Sequence, residues 1–276
     1  MINKMWMIGL MMVIAVQPVY AKEGVELVYV EWAETVASTN VVKTVLEDMD
    51  YEVDILSVSA AAMWMGTASG DVDGFTGAWL PVTQGEYWEK LKDKVDFLGK
   101  NLVGARIGLA VPAYVEINSI DQLAAEAEIF DSEIVGIDPG AGIMHKTEKA
   151  VEAYGLEMFD TIGSSGAMMT ATLQNRIKNR KPVVVTAWSP HWMFSRWDMK
   201  YLEDPKNIYG DAEYIGTVVR KGLRDDMPEV YNVLKNFKWD LNDCQQVMLW
   251  SRDLDPTEAA RKWVDANPTK VEAWKK

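Results

Sequence analysis

VDGFTGAWLP (72–81) and PVVVTAWSP (182–190) are two apolar or β-branched runs that close on the same signature, Ala-Trp-X-Pro. Each reads as a strand leaving its sheet with a tryptophan at the exit, Trp79 in the first and Trp188 in the second. In open α/β sheets the strand exits are where ligands bind. A matched pair of exit indoles in separate halves of the chain therefore predicts a cleft with aromatic walls. Core packing at a strand end is the alternative for either one alone.

Upstream, residues 25–32 alternate as a strand that ends at Trp32, a third exit tryptophan placed before a helix. That helix takes Ser38 or Thr39 as its cap and carries Val41, Val42, Val45, Leu46 and Met49 on one face. A strand over 52–58 and a helix over 60–68 lead to the strand ending at Trp79. Residues 106–111 form a short β-like run closed by Pro112, an exit from a first lobe. A second series then starts with Ser119 and Gln122, a capping-box pair opening a helix through 127. It continues with a buried strand (133–138), helices over about 143–154 and 167–178, and the strand 182–188. Residues 214–220 read as a strand crossing back to the first lobe. The C-terminal part is helical, and Asp255-Pro256-Thr257-Glu258 is a helix start with Asp as cap and Pro at the first position. Strands alternating with helices predict an α/β fold, here two lobes joined by two crossing strands about a cleft that opens and closes. One continuous doubly wound domain is the alternative.

The first 21 residues read as a cleavable signal peptide: Lys4, then an apolar run over 6–16, then Val19-Tyr20-Ala21 with cleavage after Ala21. That run is too short for a membrane span, which needs about 17–25 apolar residues. No Cys stands at the cleavage point, so the expectation is a free periplasmic protein and not a lipoprotein. A formal charge of −13 argues against nucleic acid or an anionic membrane as partner. Cys244 is the single cysteine, so no intramolecular disulfide can form, and its helical setting suits a small buried hydrophobe.

No catalytic or metal signature stands out. His145 and His191 are the two histidines and lack metal-ligand spacing, and there is no nucleophile elbow, phosphate loop or CxxC pair. The segment Asp138-Pro139-Gly140-Ala141-Gly142-Ile143-Met144 is more informative, because it follows a strand and opens a helix. Free N–H groups at such a helix start bind carboxylate or phosphate. It fails as a dinucleotide fingerprint, since His145 stands where the third glycine belongs. An ordinary glycine-rich turn remains the alternative, and Ser164-Ser165-Gly166 is a weaker segment of the same kind.

Three indole faces and one carboxylate-binding helix start together describe a small zwitterion whose cation has no N–H to donate. A quaternary ammonium suits an aromatic cage at roughly 0.5–2 kcal/mol per contact. Charge-assisted bonds to its carboxylate add about 1.5–3 kcal/mol each. After ordering costs, micromolar binding (about −8 kcal/mol) is within reach. The remaining tryptophans, such as Trp64, Trp192, Trp239, Trp263 and Trp274, sit at helical or irregular positions where packing explains them.

The runs YVEWAETVASTNVVKTVLEDM (29–49), GAWLP (77–81), GIDPGAGIM (136–144) and VVVTAWSPHWMFSRWDMKYLEDPK (183–206) closely resemble glycine betaine-binding proteins. These are the OpuAC/ProX-like substrate-binding components of ABC osmoprotectant importers. The resemblance implies a two-lobed type II periplasmic binding protein fold with two crossover hinge strands and a ligand cleft between the lobes. It divides the chain into a signal peptide (1–21), a first lobe (22–107), a second lobe (108–213) and a return with C-terminal helices (214–276). It implies a monomer that uses no cofactor and no metal, is not an enzyme, and serves an ABC permease. Carried over position by position, Trp32, Trp79 and Trp188 surround the trimethylammonium group, and the N–H groups of Gly142 and Ile143 hold the carboxylate. Some relatives follow their Trp-Leu-Pro element with Thr-His, whereas this chain has Thr83-Gln84. Gln84 becomes the candidate donor there, and dimethylsulfoniopropionate, proline betaine and carnitine join glycine betaine as ligands to test. A carbohydrate-binding protein with tryptophan platforms and an exported enzyme acting on betaine-like substrates are readings from other classes.

Overall fold

The computed structural model describes residues 22–276, so the signal-peptide reading of residues 1–21 lies outside the described residues. The chain runs β1 (Lys22–Tyr29), α1 (Ala33–Glu47), β2 (Tyr51–Ser57), α2 (Ala60–Ser69), β3 (Gly74–Leu80), α3 (Gly85–Leu91) and the 18-residue β4 (Val95–Pro112). A 3-10 helix (Ile120–Phe130) leads to β5 (Glu133–Val135), α4 (Gly142–Tyr154), β6 (Asp160–Ile162), α5 (Gly166–Lys178), β7 (Val184–Ser189), α6 (Met193–Arg196) and β8 (Met199–Tyr201). It closes with β9 (Glu213–Arg220), α7 (Leu223–Asp226), α8 (Pro228–Asn236), α9 (Leu241–Trp250), α10 (Pro256–Ala266) and α11 (Pro268–Trp274).

Two sheets share one strand. In the first, β1 lies parallel to β2 and β3, and β9 pairs antiparallel with both β3 and the first half of β4. In the second, residues Arg106 to Pro112 of β4 pair antiparallel with β7 and β8, and β7, β5 and β6 continue in parallel. Register against β9 slips three times along β4, and Gly104 lies just before the change of sheet with φ at +85°. That backbone region is open to glycine at little cost, so the strand turns from one sheet into the other without ending. β9 pairs within the first sheet, and the chain returns to it through the segment 202–212.

The core follows from composition. β3 is buried along its whole length, and β7 along all but its last residue, as expected of strands covered on both faces. α1 differs from its sequence reading: it starts at Ala33, and Ser38 and Thr39 lie buried inside it instead of capping it. The reason is a polar face buried against the sheet, where Ser38 Oγ and Thr76 Oγ1 are 2.8 Å apart and Asn40 donates to the Val36 carbonyl at 2.8 Å. Helices α9 and α10 cover α1 from outside. Trp263 of α10 stacks on Trp274 of α11 at 5.6 Å, with Phe237 edge-on to Trp274 at 5.0 Å. Those tryptophans fill the packing role expected of them. Cys244, on α9, is fully buried.

Candidate functional site

The three exit tryptophans are set by three element ends. Trp32 caps α1 directly after β1, Trp79 is the penultimate residue of β3, and Trp188 is the penultimate residue of β7. The peptide bonds Leu80–Pro81 and Ser189–Pro190 are both cis, so the likeness of the two signatures extends to the backbone. All three indoles are nearly buried, and they line one narrow cavity together with Gly142 and Ile143. Ile107 and Ile137 supply apolar wall.

Gly142 and Ile143 open α4 from the second sheet. Ala141 precedes them with no side-chain cap, while the N–H groups of Met144 and His145 turn back to the Ala141 carbonyl at 2.9 and 3.5 Å. The first two N–H groups of a helix have no partner within it, so both face outward at the positive end of the helix dipole. Gly142 also meets a steric limit: a methyl group there would sit 2.0 Å from the Thr83 carbonyl oxygen. Thr83 lines the same cavity from the turn after β3. We expect Gly142→Ala to weaken ligand binding at least tenfold by holding the two sides apart, since about 1.4 kcal/mol of strain suffices. Calorimetric titration checks this, and unchanged affinity would contradict it.

Two carboxylates that the sequence reading passed over fix the indoles. Glu34, 2% exposed, accepts the Trp79 Nε1–H on Oε1 at 2.9 Å and the Trp188 Nε1–H on Oε2 at 3.1 Å. The Thr35 hydroxyl donates the third bond to this carboxylate, the second on Oε1, at 2.7 Å. Trp32 in turn donates its Nε1–H to Asp138 Oδ2 at 3.1 Å. The last two indole bonds are reciprocal: Trp188 of the second sheet reaches Glu34 beside the first, and Trp32 beside the first reaches Asp138 after β5. Burial pushes the Glu34 carboxyl above its ordinary value, while the bonds from Thr35, Trp79, its own backbone and Trp188 pull the other way without cancelling it. Glu34 also lines the cavity. A carboxylate two residues after a strand-exit tryptophan was the available signal, but one acid among 41 reads by default as solvated.

His191 backs Trp188, with ring centroids 4.6 Å apart and planes at 84°. Its Nδ1 accepts the Met193 N–H at 3.1 Å, and burial lowers its pKa to about 3, so it is a neutral ring carrying its proton on Nε2. Gln84 is fully buried and does not line the cavity. Its Oε1 accepts the Trp64 Nε1–H at 2.9 Å and the Trp79 N–H at 3.3 Å, and its Nε2 has no partner. Ser165 is occupied as the cap of α5, accepting the Met168 N–H at 3.2 Å, and no residue of the Ser164-Ser165-Gly166 turn lines the cavity, although a methyl group at Gly166 would sit 3.8 Å from the Trp188 ring. No group of three or more His, Cys, Asp or Glu suited to a metal ion occurs among the described residues.

Residues 23–266 match the family described as the substrate-binding domain of ABC-type glycine betaine transport systems. The chain belongs to this family. It is 52% identical over 144 residues to the glycine betaine/carnitine transport binding protein GbuC of Listeria monocytogenes, a match covering 51% of this chain and 48% of that one. The match thus spans about half the length of that relative. Lactococcal OpuAC, in its closed-liganded conformation with glycine betaine, superposes with a TM-score of 0.88 at 41% identity, covering 92% of this chain and all of that one. An ABC-transporter choline-binding protein in complex with choline gives 0.84 at 28% identity, covering 91% of each chain. The type II binding-protein fold expected from the sequence is therefore the fold of this chain.

Proposed function

We propose that this protein captures glycine betaine, or a close quaternary ammonium or sulfonium zwitterion, outside the cytoplasm and delivers it to an ABC permease. The observation that carries this reading is convergence: three indoles from three element ends and an uncapped helix start border one small cavity. Trp32, Trp79 and Trp188 surround the cation, each contact supplying roughly 0.5–2 kcal/mol. Gly142 and Ile143 donate to the carboxylate. Gln84 acts behind Trp79, holding its backbone N–H, and leaves the carboxylate to the helix start. The two sheets serve as lobes, divided near 107/108 and 213/214, and ligand favours their closed arrangement because it contacts both. Residues 1–21 are removed on export, and the mature chain works as a monomer and catalyses no reaction.

Glu34 favours a second reading within the same site. A buried carboxylate on the cavity wall complements a cation whether or not the ligand carries a carboxylate, so a choline-like cation also fits. Titration of the purified protein with glycine betaine, carnitine, dimethylsulfoniopropionate and choline, followed by tryptophan fluorescence, separates the two. Saturation by micromolar glycine betaine and a far weaker response to choline supports the zwitterion. The reverse order supports the cation, and no response to any of them sinks both.

The raised Glu34 pKa gives the pH dependence a sign. Burial raises the Glu34 pKa in the empty site and a bound cation lowers it, so binding releases a proton at pH values between the two. Affinity therefore falls as pH drops below the Glu34 value of the empty protein, approaching about tenfold per unit. His191 stays neutral well below that range. We expect weaker binding at pH 5 than at pH 8, and a flatter profile for Glu34→Gln. An identical slope in both proteins would remove Glu34 as the cause.

A further inference from the structure

The segment 202–212 returns the chain from the second sheet to the first, and it and the first residue of β9 grip both sides of the Thr83–Gly142 approach. On one side stands Glu213, buried at 3% exposure. Its Oε2 accepts the N–H groups of Val82 and Thr83, each at 2.8 Å, and its Oε1 accepts the Thr83 hydroxyl. Charge-assisted bonds of this kind are roughly twice as strong as neutral ones. Gly210 presses the same turn, its vacant Cβ position only 3.0 Å from two Val82 methyl carbons.

On the other side stands Tyr209, 2% exposed, whose backbone N–H is tied to Asp204 Oδ2 at 2.8 Å. Its hydroxyl lies 2.9 Å from Thr147 Oγ1 on α4, and the Thr147 hydroxyl donates to the Ile143 carbonyl at 2.9 Å. Threonine has one hydroxyl proton, and it is engaged by Ile143, so Tyr209 is the donor to Thr147. Burial pushes the Tyr209 phenol up, which keeps that proton in place. One continuous segment thus holds Thr83 through Glu213 and the first turn of α4 through Tyr209.

We propose that Tyr209 and Glu213 are positioning residues for the anionic end of the site, and that the segment between them sets how long a bound ligand stays. This rests on the function proposed above. Neither residue lines the cavity, while Thr83 and Ile143, which they hold, both do. A loosened approach lets the closed arrangement part sooner without altering how ligand enters. The effect therefore falls on dissociation, where most affinity differences among related complexes lie.

The test compares the intact protein with Glu213→Gln and Tyr209→Phe by stopped-flow tryptophan fluorescence with glycine betaine, and by hydrogen exchange without ligand. Expected is a dissociation rate about three- to tenfold faster in each variant, with the association rate within about twofold. Exchange over residues 141–147 should rise in Glu213→Gln, although the Glu213 carboxylate bonds the 82–83 turn and not α4. Unchanged dissociation together with unchanged exchange over 141–147 would overturn the proposal and leave both residues as ordinary structural partners. If Glu213→Gln does not fold, Thr83→Val removes a single bond to the same carboxylate and should shift dissociation in the same direction. If the unaltered protein gives no ligand signal, the functional reading fails, and hydrogen exchange still decides whether the two sides are coupled.

Discussion

Trp188→Ala is expected to weaken glycine betaine binding at least tenfold, and Trp79→Ala to do the same. Each substitution removes one aromatic face, worth roughly 0.5–2 kcal/mol against a desolvated cation. Each also removes an indole N–H from Glu34, leaving a buried carboxylate short of a donor at about 1–3 kcal/mol. The combined loss of about 1.5–5 kcal/mol corresponds to tenfold at its lower end. Trp188→Phe separates the two parts, because it keeps a face and loses the N–H. Calorimetric titration alongside thermal melts distinguishes lost binding from lost folding. Near-native affinity in both alanine variants would remove the aromatic cage from the account.

The second large effect belongs to Glu34→Ala. Two buried indole N–H groups and the Thr35 hydroxyl lose their acceptor together. Leaving buried donors unpaired costs about 1–3 kcal/mol each, offset in part by no longer burying a charge. A net destabilisation of roughly 2–4 kcal/mol lowers the melting temperature by about 5–15 °C for a chain of this size. Binding should fall further than in either tryptophan variant, because both indoles lose their orientation at once. Glu34→Gln keeps one oxygen acceptor but turns an amide N–H toward the other indole, so it should lie between wild type and alanine in both measurements. A Glu34→Ala protein with native affinity and melting temperature would show that the indoles are held by packing alone.

Much of this site is readable in the chain because its parts stand at punctuation points. A tryptophan before a proline at the end of a β-branched run announces a strand exit, and Gly-Ala-Gly before an apolar helical stripe announces a helix start. What stayed hidden was the chemistry of single acids. Glu34, Asp138 and Glu213 look like any surface carboxylate in a chain of net charge −13, and only the fold turns them inward. The start of α1 was obscured by Ser38 and Thr39, good caps by composition that the fold buries in a polar helix face. β4 was seen only in its second half, because Gly99 and Gly104 break its alternation where the strand bends between the sheets. The expectation of Gln84 as a donor came from its place in the motif, whereas its buried amide faces Trp64 and the Trp79 backbone.

A crystal structure of the protein grown with glycine betaine, after removal of any carried-over ligand, tests the central claim most directly. The account predicts the trimethylammonium group within about 6 Å of the ring centroids of Trp32, Trp79 and Trp188. It also predicts the ligand carboxylate within hydrogen-bond distance of the Gly142 and Ile143 N–H groups. Glycine betaine bound elsewhere, or bound there with its carboxylate turned away from α4, would contradict it.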